Sequence, residues 1–196
     1  MNFDKKKGKK IIKKYNSSAP FYESRYKSIQ FNKYLQIFSN FELEGKKIID
    51  AGCGTGLIFD FLNKNYNSIR TTYFSLVGVD MSNKMLEIFK EKLSQFSILN
   101  HKVNLIRADL EYLPFRSERF NTLFSFTSYQ NLSNIEKGFS ESLRVLKNKA
   151  ETYISVLKKS INQQDFINLI KPRLINMKII DNQKIEDLII EGILNK

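Results

Sequence analysis

The densest chemistry in the chain lies in Ile48-Ile49-Asp50-Ala51-Gly52-Cys53-Gly54-Thr55-Gly56. Two β-branched residues run into an acid, and glycine then alternates with small residues. Such a stretch predicts a buried strand, a tight turn and a following helix. Glycine lets the backbone take positive φ and lets a ligand approach with no Cβ in the way. The turn also aims the unpaired N–H groups of the next helix at whatever lies there. An acid at a strand end is costly to bury, so Asp50 is expected to accept from loop N–H groups or from a ligand ammonium. The spacing Gly-x-Gly-x-Gly differs from the Gly-x-Gly-x-x-Gly of dinucleotide folds. Two more acids follow short strand-like runs: Asp80 after Val77-Gly78-Val79, and Asp109 just after Val103–Arg107.

These acids need strands to carry them, and the chain supplies a regular series. Lys46–Asp50, Ser75–Asp80, Val103–Arg107, Thr122–Phe126 and Thr152–Leu157 read as strands. Helical patterns lie between them: one opens at Thr55, one capped by Ser82 carries Met85, Leu86, Phe89 and Leu93, and one carries Ile135, Phe139, Leu143 and Leu146 behind a Ser133–Glu136 capping box. A last helix starts at Ser160 and stops near Pro172. Asn63–Thr72 reads as a helix end and loop. Met177–Ile180 and Leu188–Leu194 read as a closing antiparallel pair. Five alternations predict an α/β, doubly wound, mostly parallel sheet of seven strands with a C-terminal antiparallel strand pair. Ligands bind such sheets at the carboxyl ends of the strands, where strand order reverses. The three acids, the glycines and the loop Thr127–Leu132 all fall on those ends.

Upstream, Met1–Lys14 is a lysine-rich stretch around Ile11 and Ile12, read as a frayed helix or a disordered basic arm. Tyr15–Pro20 reads as a loop with helix-start character, and from Phe21 a helix presents Phe31, Tyr34, Leu35 and Phe38 on one face. Tyr22, Arg25, Tyr26 and Gln30 on that helix either pack it or cover a ligand. The chain thus reads as one domain over 1–196, with a basic arm and covering helix in 1–44 and the sheet core in 45–196.

Composition narrows the chemistry. Cys53 and His101 are the only cysteine and histidine among 196 residues, so no internal disulfide forms and a His/Cys metal site or a His-dependent triad is not expected. No apolar run reaches the ~18 residues of a membrane span, and no export signal stands at the N-terminus, which points to the cytoplasm. The formal charge of +12 attracts nucleic acid through Lys5–Lys14, or it reflects a lysine-rich, Ile- and Asn-rich composition.

Four segments together resemble class I S-adenosylmethionine-dependent methyltransferases, near the type 11 branch: Asp50–Gly56, Val77-Gly-Val-Asp-Met-Ser82, Arg107-Ala-Asp-Leu-Glu-Tyr-Leu-Pro-Phe115 and Glu141-Ser-Leu-Arg-Val-Leu-Lys147. They stand in the family's order and near its spacing. The resemblance implies S-adenosyl-L-methionine as cofactor. Asp50, Gly52, Cys53, Gly54 and Gly56 would pack against its methionine and ribose. Asp80, with Met81 beside it, would take the ribose hydroxyls. Asp109 and Leu110 would face the adenine, and carbonyls near Ser125 and Phe126 would hold the ammonium. Tyr22 and Tyr26 would offer π-faces to the sulfonium. Tyr129, Gln130 and Asn131 would face the acceptor, and Arg25 an anionic one. Three departures stand out: Asn121 replaces the usual acid before the fourth strand, Asn148-Lys149-Ala150 replaces Pro-Gly-Gly before the fifth, and no lid is inserted after Leu157. In-line transfer from a sulfonium relies on alignment more than on acid or base groups, which suits a site without histidine. Three functions follow: a methyltransferase of a small molecule, one of RNA or protein, or a non-catalytic cofactor-binding partner subunit.

Overall fold

Ile48 and Ile49 are adjacent and both fully buried, yet they belong to two different cores. Successive side chains of a strand point to opposite faces, so both faces of this sheet are covered. The computed structural model describes residues 3–38, 41–65, 73–96, 102–183 and 185–196. Its elements are α1 (Phe3–Ile37), β1 (Lys47–Ala51), α2 (Leu57–Asn65), β2 (Ser75–Asp80), α3 (Asn83–Ser94), β3 (Val103–Arg107), β4 (Phe120–Phe126), α4 (Ile135–Val145), β5 (Leu146–Leu157), α5 (Gln163–Ile170), β6 (Leu174–Ile180) and β7 (Asp187–Leu194). His101 and most of the loop read over Asn63–Thr72 lie outside the described residues.

The seven strands run in the order β3-β2-β1-β4-β5-β7-β6. β1 pairs in parallel with β2 and β4, β2 with β3, and β4 with β5. β7 runs antiparallel to both β5 and β6. The order reverses between β1 and β4, and there the chain can open a crevice at the strand ends. On one face α1, α2 and α3 bury Tyr34, Phe38, Phe61 and Phe89 against Ile48, Leu76 and Phe124. On the other, Phe139, Val145, Phe166 and Ile170 close over Ile49, Val79, Leu123 and Ile154. Each such side chain contributes about 1.5–3 kcal/mol on burial.

The largest difference from the sequence reading concerns the N-terminal segment. Tyr15–Pro20 is no loop: α1 runs unbroken for 35 residues with Pro20 inside it. Proline removes one helical hydrogen bond. Ser17 and Ser18 donate to the carbonyls of Lys14 and Tyr15, side-chain back-bonds of a kind that bend a helix. Ala19, beside the proline, is buried, so packing overrides local propensity. Phe3–Lys14 of the basic stretch thus forms the first third of this helix, the helical alternative of the sequence reading.

Smaller differences have equally local causes. Asn134, rather than Ser133, caps α4, its side chain accepting from Lys137 N. Asn162 caps α5, which begins after the helix start read at Ser160. Asn121 ties the start of β4 to β1: its Oδ1 accepts from Lys47 N at 2.7 Å and its Nδ2 donates to Gly45 O at 3.1 Å, a donation that a carboxylate could not make. The Asn148-Lys149-Ala150 turn is absorbed into β5, which starts at Leu146. Lys149 takes a left-handed φ of 63° there, and the pairing of β4 with β5 shifts register between Phe120 and Thr122.

Candidate functional site

The turn after β1 is fixed by backbone bonds. Gly52 N and Cys53 N both donate to Val79 O, at 2.8 and 3.0 Å. This pulls the turn across the end of β2 and brings Asp80 beneath it. Asp80 Oδ2 then accepts from Gly54 N at 3.0 Å, and Oδ1 from Ser82 N at 2.8 Å. Burial pushes the Asp80 carboxyl up, and these backbone donors oppose that rise. Each oxygen keeps acceptor capacity beyond its one bond. Asp109, after β3, turns its Oδ1 to Glu111 N at 2.9 Å. Glu111 Oε1 takes the N–H groups of Ser133 and Asn134, tying the loop after β3 to the start of α4.

These groups line one cleft at the switch point. Its floor carries Gly52, Gly54, Asp80, Met81, Asp109, Leu110 and Phe126, all of them residues read from the sequence. The loop after β4 adds Thr127, Ser128, Asn131 and Leu132, of which only Asn131 had been singled out. The wall opposite comes from α1, through Gly8, Ile11, Ile12, Tyr15 and Tyr22. The cleft is therefore covered on that side without any lid inserted after Leu157. Three polar contacts fasten α1 there. Lys7 Nζ donates to Leu132 O. Asn131 Nδ2 donates to the Tyr15 hydroxyl at 2.9 Å, and Ser82 Oγ to Asn16 Oδ1 at 2.7 Å.

Several residues named from the sequence stand elsewhere. Tyr129 does not face the cleft: its ring is fully buried in the second core beside Phe139 and Phe166, and its hydroxyl donates to Ser142 Oγ at 2.8 Å. A short turn of helix over Tyr129–Asn131 swings it inward while Asn131 stays at the opening. Gln130 donates back to Thr127 O at 2.7 Å and does not line the cleft. Arg25 and Tyr26 lie on the exposed side of α1, although the Tyr26 ring reaches Tyr22 at 4.8 Å. Gly56 serves packing, since any Cβ there would meet the buried Phe89 ring. Cys53 is buried against Gly78, and burial pushes its thiol far above the usual range, an environment that suits a neutral packing thiol. Ser125 donates to Ala51 O at 3.1 Å, joining β4 to β1 across the switch.

Asp50 is the most loaded group. It is buried beneath the turn, and its Oδ2 has no hydrogen-bond partner. The loop N–H groups that could have met it go to Val79 O instead. Burial first, and Asp80 second, push its carboxyl up to about 8 from an ordinary 3.8. Between those values the folded chain holds a proton that the unfolded chain has released, so stability falls as pH rises through that window. Asp50→Asn should remove this loss. In urea unfolding between pH 5 and pH 8 the gap between variant and parent should widen with pH, by up to about 1.4 kcal/mol per unit. Parallel profiles would show that Asp50 is ionised in the folded chain and paired.

Among the described residues no group of His, Cys, Asp and Glu could hold a metal ion, and no helix is long and apolar enough to cross a membrane.

Residues 48–149 match the model of a methyltransferase domain family. A ubiquinone/menaquinone biosynthesis C-methyltransferase of Campylobacter jejuni is 26% identical over 148 residues, covering 71% of this chain and 60% of that protein. An uncharacterised protein of Methanocaldococcus jannaschii is 30% identical over 138 residues, covering 68% of this chain and 46% of its own length. The chain thus spans about half to three fifths of these relatives. A SAM-dependent methyltransferase from Aquifex aeolicus has the same fold, with TM-score 0.72 at 17% identity, covering 91% of this chain and 98% of that one.

Proposed function

The chain belongs to the methyltransferase domain family, and from that membership we propose that it binds S-adenosyl-L-methionine in the cleft and passes its methyl group in line to an acceptor held under α1. The observation that carries this reading is the Asp80 carboxylate. It stands at a strand end beside the glycine turn, held by two backbone donors, with lone pairs left for vicinal hydroxyls. The remaining residues fit the same cofactor. A Cβ on Gly54, at φ 55°, would meet nothing within 4 Å, which leaves an open approach along the cleft floor. The buried, unpartnered Asp50 carboxyl under the turn holds its proton in the free chain, and a cationic ligand group bound above the turn would favour its ionised form. Asp109, Leu110 and Met81 line the far end with one acceptor and apolar surface, as a flat heterocycle with an amine requires.

When bound, the cofactor supplies an electrophilic methyl group on a sulfonium. The chain's part is to hold that group and the acceptor in line and to keep water away. Tyr15 and Tyr22 place π-faces on the α1 side of the cleft. Asn131, anchored by Tyr15 and by Thr127 O, keeps its Oδ1 for an acceptor's N–H or O–H.

We favour a small-molecule acceptor. The supporting feature is the apolar lining, where Ile11 and Ile12 of the α1 wall and Leu132 of the loop after β4 narrow the approach. A second reading keeps some support, because Lys9, Lys10, Lys13 and Lys14 are exposed on α1 and offer a basic face to RNA. Labelled-methyl transfer in total cell extract, fractionated into small molecules, protein and RNA, separates these readings. Label in the small-molecule fraction, unaffected by nuclease, is expected. Label confined to RNA or protein would move the acceptor to a macromolecule, and cofactor binding with no transfer would support a partner-subunit role.

A further inference from the structure

Lys33 is the only lysine among the described residues whose side chain is entirely buried, and the cleft does not use it directly. Its Nζ reaches three acceptors from three other elements: Asp187 Oδ2 on β7 at 2.6 Å, Thr127 Oγ1 after β4 at 2.7 Å and Ser155 Oγ on β5 at 3.2 Å. An ammonium has three N–H donors, so all are placed. Both hydroxyls donate in turn to the same Asp187 oxygen, each at 2.8 Å. Gln30 Nε2 adds a donor to Thr127 Oγ1 at 3.4 Å, and all three Lys33 N–H groups and both hydroxyl protons have acceptors, which favours tolerance of the buried charge.

What the cluster holds is Thr127. This β-branched residue sits at φ 57°, in the left-handed region that such side chains rarely adopt. Strain of this kind persists only where the surroundings over-determine it. Thr127 N donates to Ser155 O at 2.8 Å, and its hydroxyl is gripped from below by Lys33 and Asp187. Its carbonyl, on the other side, accepts from Gln130 Nε2 at 2.7 Å and Asn131 Nδ2 at 3.1 Å. Asn131 meets Tyr15 over the cleft. A continuous run of contacts therefore leads from a buried ion pair to the opening.

We propose that Lys33 is a positioning residue: with Asp187 and Ser155 it holds Thr127 in its left-handed conformation and so sets the Thr127–Asn131 loop against the cleft floor. The proposal rests on the cofactor-site reading only for its ligand readout. The loop geometry stands without it.

Two variant sets test it in the full chain. Lys33→Met/Asp187→Leu replaces the pair by apolar groups, a change that often spares stability. Thr127→Val removes the hydroxyl and keeps the shape, whereas Thr127→Ser keeps the hydroxyl. Amide exchange across Thr127–Leu132 should accelerate about tenfold or more in the double variant and in Thr127→Val, with β1 and β4 amides unchanged. Affinity for S-adenosylhomocysteine should fall about tenfold or more in the same two variants. Thr127→Ser, which keeps the hydroxyl, should lose clearly less than Thr127→Val in both readouts. Should the double variant not fold, the two Thr127 variants decide alone. Parental loop exchange in Thr127→Val, or equal effects of Val and Ser, would overturn the proposal. A parent chain that binds no S-adenosylhomocysteine would overturn the cofactor reading instead, with loop exchange still reporting on Lys33.

Discussion

Deleting residues 1–17 should leave a folded protein that has lost methyl transfer by about 10²-fold or more. The side chains from Lys7 to Ser17 are exposed or half-buried, so little core is lost. The cut also leaves a sound new end. Ser18 stands where a capping residue is wanted and Pro20 falls in the first turn, where proline is tolerated. The rest of α1 keeps Ala19, Lys33, Tyr34, Ile37 and Phe38 in place. What disappears is the wall formed by Gly8, Ile11, Ile12 and Tyr15, with the ties of Lys7, Tyr15 and Asn16 to Leu132, Asn131 and Ser82. Circular dichroism, thermal melting and single-turnover transfer on the shortened chain measure both halves of the claim. Parental transfer rates would reduce the first turns of α1 to packing.

The glycines of the turn should divide into two kinds on substitution by alanine. Gly56→Ala should cost the fold roughly 2–5 kcal/mol, combining left-handed strain with overpacking. At φ 79° its new Cβ would lie 2.5 Å from Phe89 Cε2 and 2.6 Å from Cγ, and Phe89 is fully buried with no room to withdraw. Gly54→Ala meets no neighbour, so only the backbone strain of about 1–2 kcal/mol applies. Its added methyl sits in a residue of the cleft floor, and cofactor affinity should fall more than stability does. Denaturant midpoints and ligand titrations of the two variants should therefore rank in opposite orders. The same order in both measurements would mean that the turn acts as one structural unit.

Much of the scaffold was legible because its signals are local. β2 and β3 have the bounds read from the sequence, since each is a short apolar run ending in a polar stop. Asp80 could be placed because a strand end and a cap at Ser82 bracket it. The errors arise where distant packing decides. Pro20 with two serines reads as a break, yet the packing of the buried Ala19 carries the helix through. Tyr129 reads as a loop residue beside the site, but the small inner-face residue Ser142 of α4 leaves room for its hydroxyl. Lys33 was overlooked altogether. The signal was present: Gln30, Lys33, Tyr34, Ile37 and Phe38 recur at the spacing of the buried face, so a lysine falls on the stripe of a core helix. Only the fold shows that Asp187, some 150 residues later, waits for it. Glu111 and Thr127 escaped for the same reason, as their partners come from other strands and loops.

Calorimetric titration of the full chain with S-adenosylmethionine, for the parent and for Asp80→Ala and Asp80→Asn, addresses the central claim most directly. One saturable site is expected in the parent. Affinity should fall by about 1.5–3 kcal/mol in Asp80→Ala, the cost of losing hydrogen bonds to a charged acceptor, and by less in Asp80→Asn. No saturable binding in the parent, or unchanged affinity in Asp80→Ala, would contradict the account.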